Sequence, residues 1–214
     1  MKSLVVIALL LALFVVPSLA RMGGPLFVVI VNNKRGYINR TGKIVIEPRF
    51  QGASAFSEGL ASIALSDNGY AEGYIDETGK VVIEPKWDTA AEFKEGVAWV
   101  GYDQAKQEFK VGNRVYYSSP THSFDYKFGL IDRTGRYIVE PKFIDVGYFS
   151  EGLSPVKTKA GKFGYINKKG SFVIPPKFEW ADSFSEGLAS VYMNGKWGFI
   201  NKLGKVAIKP IFTG

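Results

Sequence analysis

The 214-residue sequence contains no cysteine and a single histidine, His122. Without cysteine the chain can form no disulfide bond and can carry no lipid attached to a cysteine. Catalysis by a Cys/His pair and ordinary zinc sites are excluded for the same reason. We therefore predict no catalytic residue, no metal site and no cofactor. The fold has to be stabilised by burial alone, for which 16 Phe, 11 Tyr and 4 Trp are available.

Long apolar runs are also missing after residue 20. The run Leu4–Val16 has 13 residues and is ended by Pro17, whereas a membrane-spanning helix needs about 20. A positive residue precedes the run, and small side chains stand at positions −3 and −1 of a cut after Ala20, as is typical of a secretory signal peptide. We expect residues 1–20 to be removed, although a retained membrane anchor is the alternative. The remainder would be periplasmic, extracellular or on the cell surface, with no transmembrane segment.

Charge of one sign is not concentrated anywhere in the sequence. The net charge is +7, or +6 once the predicted signal peptide is removed, and the basic residues are spread along the chain. Such a distribution favours anionic surfaces weakly and does not by itself indicate nucleic-acid binding. We expect no nucleic-acid partner.

A unit of roughly 35 residues recurs five times after residue 27. Its marker is a glycine that recurs at steps of 37, 56, 35 and 34 residues, namely Gly36, Gly73, Gly129, Gly164 and Gly198. Three steps share one period, and the longer step contains an insertion at residues 104–126. We treat residues 21–214 as a single domain with units near residues 27–50, 60–87, 97–143, 153–178 and 188–212.

Each unit predicts three short strands, because runs rich in aromatic and β-branched residues are bounded by Gly, Asn and Pro. The links between second and third strands are NRTGK, DETGK, DRTGR, NKKGS and NKLGK. Each link has Asn or Asp at its first position and Gly at its fourth, and this pattern predicts a type I turn with a G1 bulge. The predicted fold class is therefore all-β, with five three-stranded antiparallel meander repeats. Since one meander buries a single face, neighbours must cover it, either in a small propeller-like ring or in an open twisted array.

The last unit also points to a family. Its Lys196-Trp197-Gly198, followed by Phe-Ile-Asn and a Gly-Lys turn, resembles the bacterial WG-repeat (KWG-repeat) family. The Pro-x-aromatic and Phe-Ser-Glu-Gly-Leu-Ala stretches match as well, and the resemblance covers nearly all of residues 27–214. Only this unit carries Trp before the glycine; the others have Arg35, Glu72, Phe128 and Phe163. The resemblance implies a binding or scaffolding module rather than an enzyme, and it implies no particular site.

Most polar residues recur at fixed positions of the unit, where a structural role explains them. We expect the turn residues to accept backbone hydrogen bonds in Asx-turns; they are Asn39, Asp76, Asp132, Asn167 and Asn201. We expect the connector glutamates to accept local backbone N–H bonds, with a row of ligand-binding carboxylates as the alternative; they are Glu58, Glu95, Glu151 and Glu186. The aromatic residues before the marker glycine, Trp197 among them, are expected to pack in the core.

The insertion is the segment that the repeat does not explain. Within it, Phe109–Val111 is predicted to pair with Val115–Tyr117 across Gly112-Asn113. Aromatic residues with polar tips, held on an insertion to a rigid scaffold, suit contact with carbohydrate or protein. The candidate surface is Tyr102, Tyr116, Tyr117, His122 and Tyr126. The alternative is a hairpin that merely packs its own tyrosines.

The sequence as a whole favours an exported, non-enzymatic binding or scaffold module that contacts a protein or a surface glycan. Two alternatives remain. One is a glycosidase-type enzyme that uses carboxylates on the repeat edges, and the other is an electrostatic binder of anionic cell-wall polymer.

Overall fold

The computed structural model describes residues 24–65, 71–105, 107–111, 114–118 and 125–213, with the backbone alone for residues 107–111 and 114–118. The predicted signal peptide and His122 lie outside these ranges. The described segments form strands and turns, and none of them is a helix of the length and apolar character that crossing a membrane requires. The predicted all-β class is confirmed.

Five antiparallel sheets follow one another along the chain, one for each predicted unit. Unit 1 has three strands, which are β1 (Phe27–Val31), β2 (Lys34–Ile38) and β3 (Ile44–Phe50). Unit 2 has four, which are β4 (Gly52–Ala53), β5 (Leu60–Ala64), β6 (Glu72–Asp76) and β7 (Val81–Trp87). Unit 3 consists of β8 (Thr89–Ala90), β9 (Val97–Asp103), β12 (Tyr126–Asp132) and β13 (Tyr137–Phe143), interrupted by the hairpin β10 (Gln107–Val111) and β11 (Arg114–Ser118).

The last two units repeat the arrangement of unit 2. Unit 4 consists of β14 (Asp145–Val146), β15 (Leu153–Lys157), β16 (Phe163–Asn167) and β17 (Phe172–Phe178). Unit 5 consists of β18 (Trp180–Ala181), β19 (Leu188–Met193), β20 (Lys196–Asn201) and β21 (Val206–Phe212). The three predicted strands are present in every unit, and the connector adds a two-residue strand beside the first of them in units 2 to 5.

The two faces of each sheet contact different neighbours. The face toward the next unit, here the back face, carries in unit 1 Tyr37, Ile46 and Phe50. The face toward the preceding unit, here the front face, carries in unit 2 Ala61, Ile63 and Ile75. These two sets of side chains form one core cluster, and the same pattern forms three more clusters between the later units. The hydrophobic core is therefore divided into four layers, each lying between two sheets.

Buried tyrosines tie the connectors to these layers. The hydroxyl of Tyr37 donates to Ser54 O at 2.8 Å, that of Tyr74 to Ala91 O at 2.7 Å and that of Tyr165 to Asp182 O at 2.7 Å. Burial raises the pKa of all three hydroxyls above its ordinary value. Unit 3 has a leucine at this position, and there the indole N–H of Trp99 donates to Gly147 O at 2.9 Å instead. Each connector is thus held by at least one buried donor.

The array is open rather than a closed ring. Ile46 and Phe50 of unit 1 are 3% and 0% exposed, because unit 2 covers them. The equivalent residues of unit 5, Ile208 and Phe212, are 39% and 48% exposed. A closed ring would cover the back face of unit 5 with unit 1, so the exposure decides between the two arrangements that the sequence left open.

In units 2 to 5 the turn between the second and third strands contacts the sheet of the preceding unit. A methyl group added at Gly79 would lie 3.0 Å from Ile46 Cγ2, one at Gly135 2.8 Å from Ile83 Cγ2, and one at Gly204 2.9 Å from Ile174 Cγ2. In unit 1 the turn glycine, Gly42, has nothing within 4 Å of such a methyl group. The turn glycine therefore serves two needs, a positive φ in every unit and close packing in units 2 to 5.

Comparison of Gly135→Ala with Gly42→Ala should separate these two needs. Both glycines have φ of 80°, so both substitutions should lose about 1 kcal/mol to left-handed backbone strain. Only Gly135→Ala also forces its methyl group against Ile83, which should cost about 1–3 kcal/mol more. The measurement is urea-induced unfolding of the two variants beside the parent. Equal losses would contradict the packing contact between units.

Candidate functional site

The repeated turn residues act as backbone acceptors. Asn39 Oδ1 accepts the N–H groups of Thr41 and Lys43, both at 3.0 Å. Asp132 Oδ1 accepts those of Thr134 at 2.8 Å and Arg136 at 3.2 Å. The same bonds occur at the other three turns. The predicted Asx-turns are confirmed, with Oδ1 of each side chain as the acceptor.

The connector glutamates bind across units rather than locally. Glu58 Oε2 accepts the N–H of Gly96 at 3.0 Å, Glu95 Oε1 that of Gly152 at 3.1 Å, and Glu151 Oε1 that of Gly187 at 3.1 Å. Each acceptor reaches the glycine of the next connector along the chain. The expectation of local bonds within one connector was wrong, because the distance between stacked units brings equivalent positions within hydrogen-bonding reach.

Cations from the turns complete this edge of the array. Glu58 pairs with Arg133 at 3.3 Å, Glu95 with Lys168 at 3.6 Å and Glu151 with Lys202 at 2.9 Å. The hydrogen bond from Lys202, together with the N–H of Gly187, lowers the pKa of Glu151 below its ordinary value. Each glutamate lies in the connector before one unit, and its cation lies in the turn of the following unit. The edge is consequently a ladder of compensated charges, which we call the glutamate ladder.

Glu72 is an acidic side chain outside the glutamate ladder. Glu72 Oε2 accepts the N–H of Ala90 at 2.7 Å, and burial raises the pKa of the carboxyl. Glu72 occupies the position before the marker glycine, where the other units have arginine or an aromatic residue. No group of three or more His, Cys, Asp or Glu side chains with a geometry for metal binding occurs in the described part of the chain.

The insertion forms the predicted hairpin. Strands β10 and β11 pair antiparallel, with Phe109 opposite Tyr116 and Lys110 opposite Val115. At its base, Gln104 N–H donates to Asp125 O at 2.9 Å, directly beyond β9 and β12. The hairpin is a separate two-stranded sheet that lies in the chain between the first and second predicted strands of unit 3, β9 and β12.

The candidate tyrosines do not share one face. Lys127 lies opposite Tyr102 and Asp103 opposite Tyr126, and neighbouring positions along a strand alternate between faces. Tyr102 packs against the core layer between units 2 and 3, and burial with a hydrogen bond to Tyr137 raises its pKa. Tyr126 lies with its ring centroid 5.8 Å from that of Phe128. Tyr116 and Tyr117 are adjacent on β11, and a binding role for the set, with His122, stays a prediction.

A second aromatic surface was not predicted from the sequence. Tyr192, Trp197 and Phe212 lie side by side on neighbouring strands of unit 5, with the rings of Tyr192 and Trp197 5.3 Å apart. Trp197, expected in the core, is only half-buried, whereas Phe163 at the same position of unit 4 is 3% exposed. The difference arises because no other unit of the described chain covers the back face of unit 5.

Comparison with known families assigns the repeat. The sequence model of a family described as WG containing repeat matches residues 36–69, 73–104, 128–162, 163–197 and 197–214. The chain belongs to this WG-repeat family. No curated protein matched the sequence.

Solved structures resemble the WG-repeat array only distantly. BamB from Moraxella catarrhalis is 14% identical with a TM-score of 0.42, over 90% of this chain and 63% of that chain. The computationally designed Ika8 protein is 10% identical with a TM-score of 0.34, over 87% of this chain and 76% of that one. Likenesses at this level do not bear on fold or function.

The structure explains the glycine of the WG repeat. A methyl group added at Gly198 would lie 2.8 Å from Ile208 O and 2.9 Å from Pro210 N. The third strand crosses so closely at this point that only a residue without a side chain fits. The aromatic residue before it is less constrained, which agrees with its replacement in units 1 and 2.

The turn acid of unit 3 allows a test by pH. Hydrogen bonds from the Thr134 hydroxyl and from backbone N–H groups lower the pKa of Asp132. Asp132→Asn should change stability at neutral pH by less than about 0.5 kcal/mol, since Asn39, Asn167 and Asn201 accept the same bonds. Asp132→Ala should cost about 1 kcal/mol.

The sign of the pH effect follows from the lowered pKa. The carboxylate stabilises the fold above its unfolded pKa of about 3.9 and loses this contribution as pH falls through the folded pKa. Asparagine does not titrate, so Asp132→Asn should lose less stability than the parent between about pH 5 and pH 2. Urea unfolding at each pH measures this, and identical pH dependence would contradict the assignment.

The glutamate ladder can be tested with two alanine substitutions. Glu95 and Glu186 have the same backbone conformation, with φ of 54° and 53°, so strain in the two variants is matched. Glu95→Ala removes the bond to Gly152 and the ion pair with Lys168, and should lose about 1 kcal/mol more than Glu186→Ala. Thermal or urea unfolding compares them, and an equal loss would show that the bond between units contributes nothing.

Proposed function

We propose that this WG-repeat protein is an exported, non-enzymatic binding or scaffold module that contacts a protein or a surface glycan. The observation that carries the proposal is how its repeated polar side chains are used. The turn Asn and Asp residues accept backbone bonds, and Glu58, Glu95 and Glu151 join successive units. These groups build the array, so contact with a partner falls to segments outside the repeated pattern.

The ladder also argues against the glycosidase alternative. A glycosidase needs one carboxyl group that is protonated near neutral pH and a second that is ionised. Glu151 has a lowered pKa and a lysine at 2.9 Å, so it does not suit the role of the protonated acid. Its carboxylate is already engaged by Lys202 and by the N–H of Gly187.

The position of the insertion on a packed unit also supports the proposal. Its hairpin continues a strand pair whose unit is packed on both faces, so its base is fixed by the array. Binding segments of many proteins are arranged in this way, on a rigid scaffold that loses little entropy when the partner binds. Tyr116 and Tyr117 are the residues of the candidate surface that the hairpin itself carries.

Co-sedimentation with isolated bacterial envelopes should test the hairpin. Replacement of residues 105–124 by Asn-Gly leaves Gln104 and Asp125 joined by a two-residue turn, so the array should keep its β circular-dichroism signal. We expect the parent to sediment and this variant to lose at least about tenfold in affinity. Tyr148→Ala, which alters an exposed tyrosine of another unit, is the control and should bind as the parent does.

Treatment of the envelopes distinguishes the partners. Loss of binding after protease indicates a protein, and loss after periodate oxidation indicates a glycan. A steep fall in affinity with added salt would favour the anionic-polymer alternative. Release of reducing sugar by the parent would overturn the proposal.

A further inference from the structure

The two ends of the array present complementary apolar faces. The back face of unit 5 exposes Ile208 and Phe212, beside the half-buried Tyr192, Trp197 and Phe199. The front face of unit 1 exposes Phe27, beside the half-buried Val29 and Ile38. We call these two surfaces the trailing face and the leading face.

Each face matches one side of the interfaces that already exist inside the chain. Val29 and Ile38 flank Gly36 as Ile63 and Ile75 flank Gly73 in unit 2, where both isoleucines are buried against unit 1. Phe199, Ile208 and Phe212 correspond in the same way to Tyr165, Ile174 and Phe178, which are 0–2% exposed under unit 5. The chain therefore carries both halves of a fifth unit-to-unit interface, one at each end.

The turn of unit 1 is also open for such a contact. In units 2 to 5 the turn glycine packs on the aliphatic residue of the preceding third strand, whereas Gly42 has nothing within 4 Å of an added methyl group. Ile208 is the one aliphatic residue of this kind that no turn covers in the described chain. If a second copy packed on unit 5 as successive units pack on one another, its Gly42 would cover Ile208.

The trailing face does not have the composition of a protective end unit. Terminal repeats of soluble arrays usually present a polar outer face. In units 1 to 4 a cation lies over the ring of the third strand, as Arg49 does over Phe50 at 5.0 Å. Unit 5 has Ile211 at this position, 61% exposed. The last unit is thus more apolar than the inner ones on the face that it exposes.

Charge complementarity favours a second copy of this chain as the partner. In the glutamate ladder, the glutamate in the connector before one unit pairs with the cation in the turn of the unit that follows it. Glu151, for example, lies before unit 4 and pairs with Lys202 of unit 5. Glu186 precedes unit 5, so its partner would lie in the turn of a sixth unit. Unit 1 has Arg40 at that turn position, and neither residue has an ion-pair partner among the described residues.

Phe27 explains how the contact can form without a connector. Inside the chain each interface contains a connector ring beside a small residue of the front face, such as Phe93 beside Ala98 or Phe184 beside Ala189. At a junction between two copies there is no connecting ring. The leading face has Phe27 where the inner units have alanine or serine, and this larger side chain supplies the missing volume.

We propose that the leading face of one copy docks on the trailing face of a second copy, so that the array continues from chain to chain. The contact is heterologous, and repetition produces a closed ring or a filament according to the rotation between copies. The inference goes beyond the proposed function and does not depend on the hairpin or on its ligand.

Complementary disruption of the two faces tests the proposal. Sedimentation velocity of the purified protein should show assemblies that grow with concentration. Phe27→Asp removes the leading face and Ile208→Lys the trailing face, and each variant alone should be monomeric. An equimolar mixture should give a heterodimer and nothing larger, because one intact leading face and one intact trailing face remain.

Substitutions of the two charged residues, Arg40 and Glu186, test the same contact independently of its apolar residues. Arg40→Glu and Glu186→Arg should each raise the dissociation constant at least about tenfold, and the double variant should recover much of the loss. Val173→Lys is the matched control, since Val173 is 43% exposed in an inner unit, and it should assemble as the parent does. Circular dichroism confirms that every variant is folded.

Two outcomes would overturn the inference. One is a parent protein that stays monomeric at all concentrations. The other is a mixture of Phe27→Asp and Ile208→Lys that contains no heterodimer while the parent assembles, which would place the contact elsewhere. Replacement of the hairpin should leave assembly unchanged, so failure of the proposed ligand binding and failure of self-association are distinguishable.

Discussion

The packing of one sheet on the next is the contact on which the rest of this structure depends. A three-stranded meander buries only one face, and isolated it would be marginal. Here the back face of each unit receives the front face of its successor, with a turn glycine against an isoleucine or valine. Because each unit contacts only its neighbours, stability accumulates along the row rather than in one central core.

This one-dimensional arrangement decides the role of most polar residues. Equivalent positions of stacked units come close together, so Glu95 reaches the N–H of Gly152 and also Lys168. The buried hydroxyl of Tyr74 fixes a connector by its bond to Ala91 O. The repeated acidic side chains therefore hold the array together, and the contacts that we propose lie where the array is interrupted or ends.

Much of the fold could be predicted, because the strands and turns of each unit are determined by nearby residues that recur in every unit. The Asn or Asp and Gly of each turn determine the hairpin register, and Gly112-Asn113 between β-prone runs was enough to predict the inserted hairpin. The long-range bonds of Glu58, Glu95 and Glu151 could not be predicted, since they depend on the distance between stacked units. The half-burial of Trp197 was missed for a related reason. Burial at a repeated position depends on whether another unit follows.

The sequence by itself determined the unit, its strands, its turns and the number of copies, because these follow from side-chain periodicity and turn chemistry within a few residues. Only the tertiary structure decided that the units form an open row, which faces remain exposed, and that Tyr102 and Tyr126 project to opposite faces of one sheet. These properties depend on the rotation and spacing between sheets. Each side chain contributes to that geometry through contacts with a neighbouring unit, which the sequence of one unit does not specify.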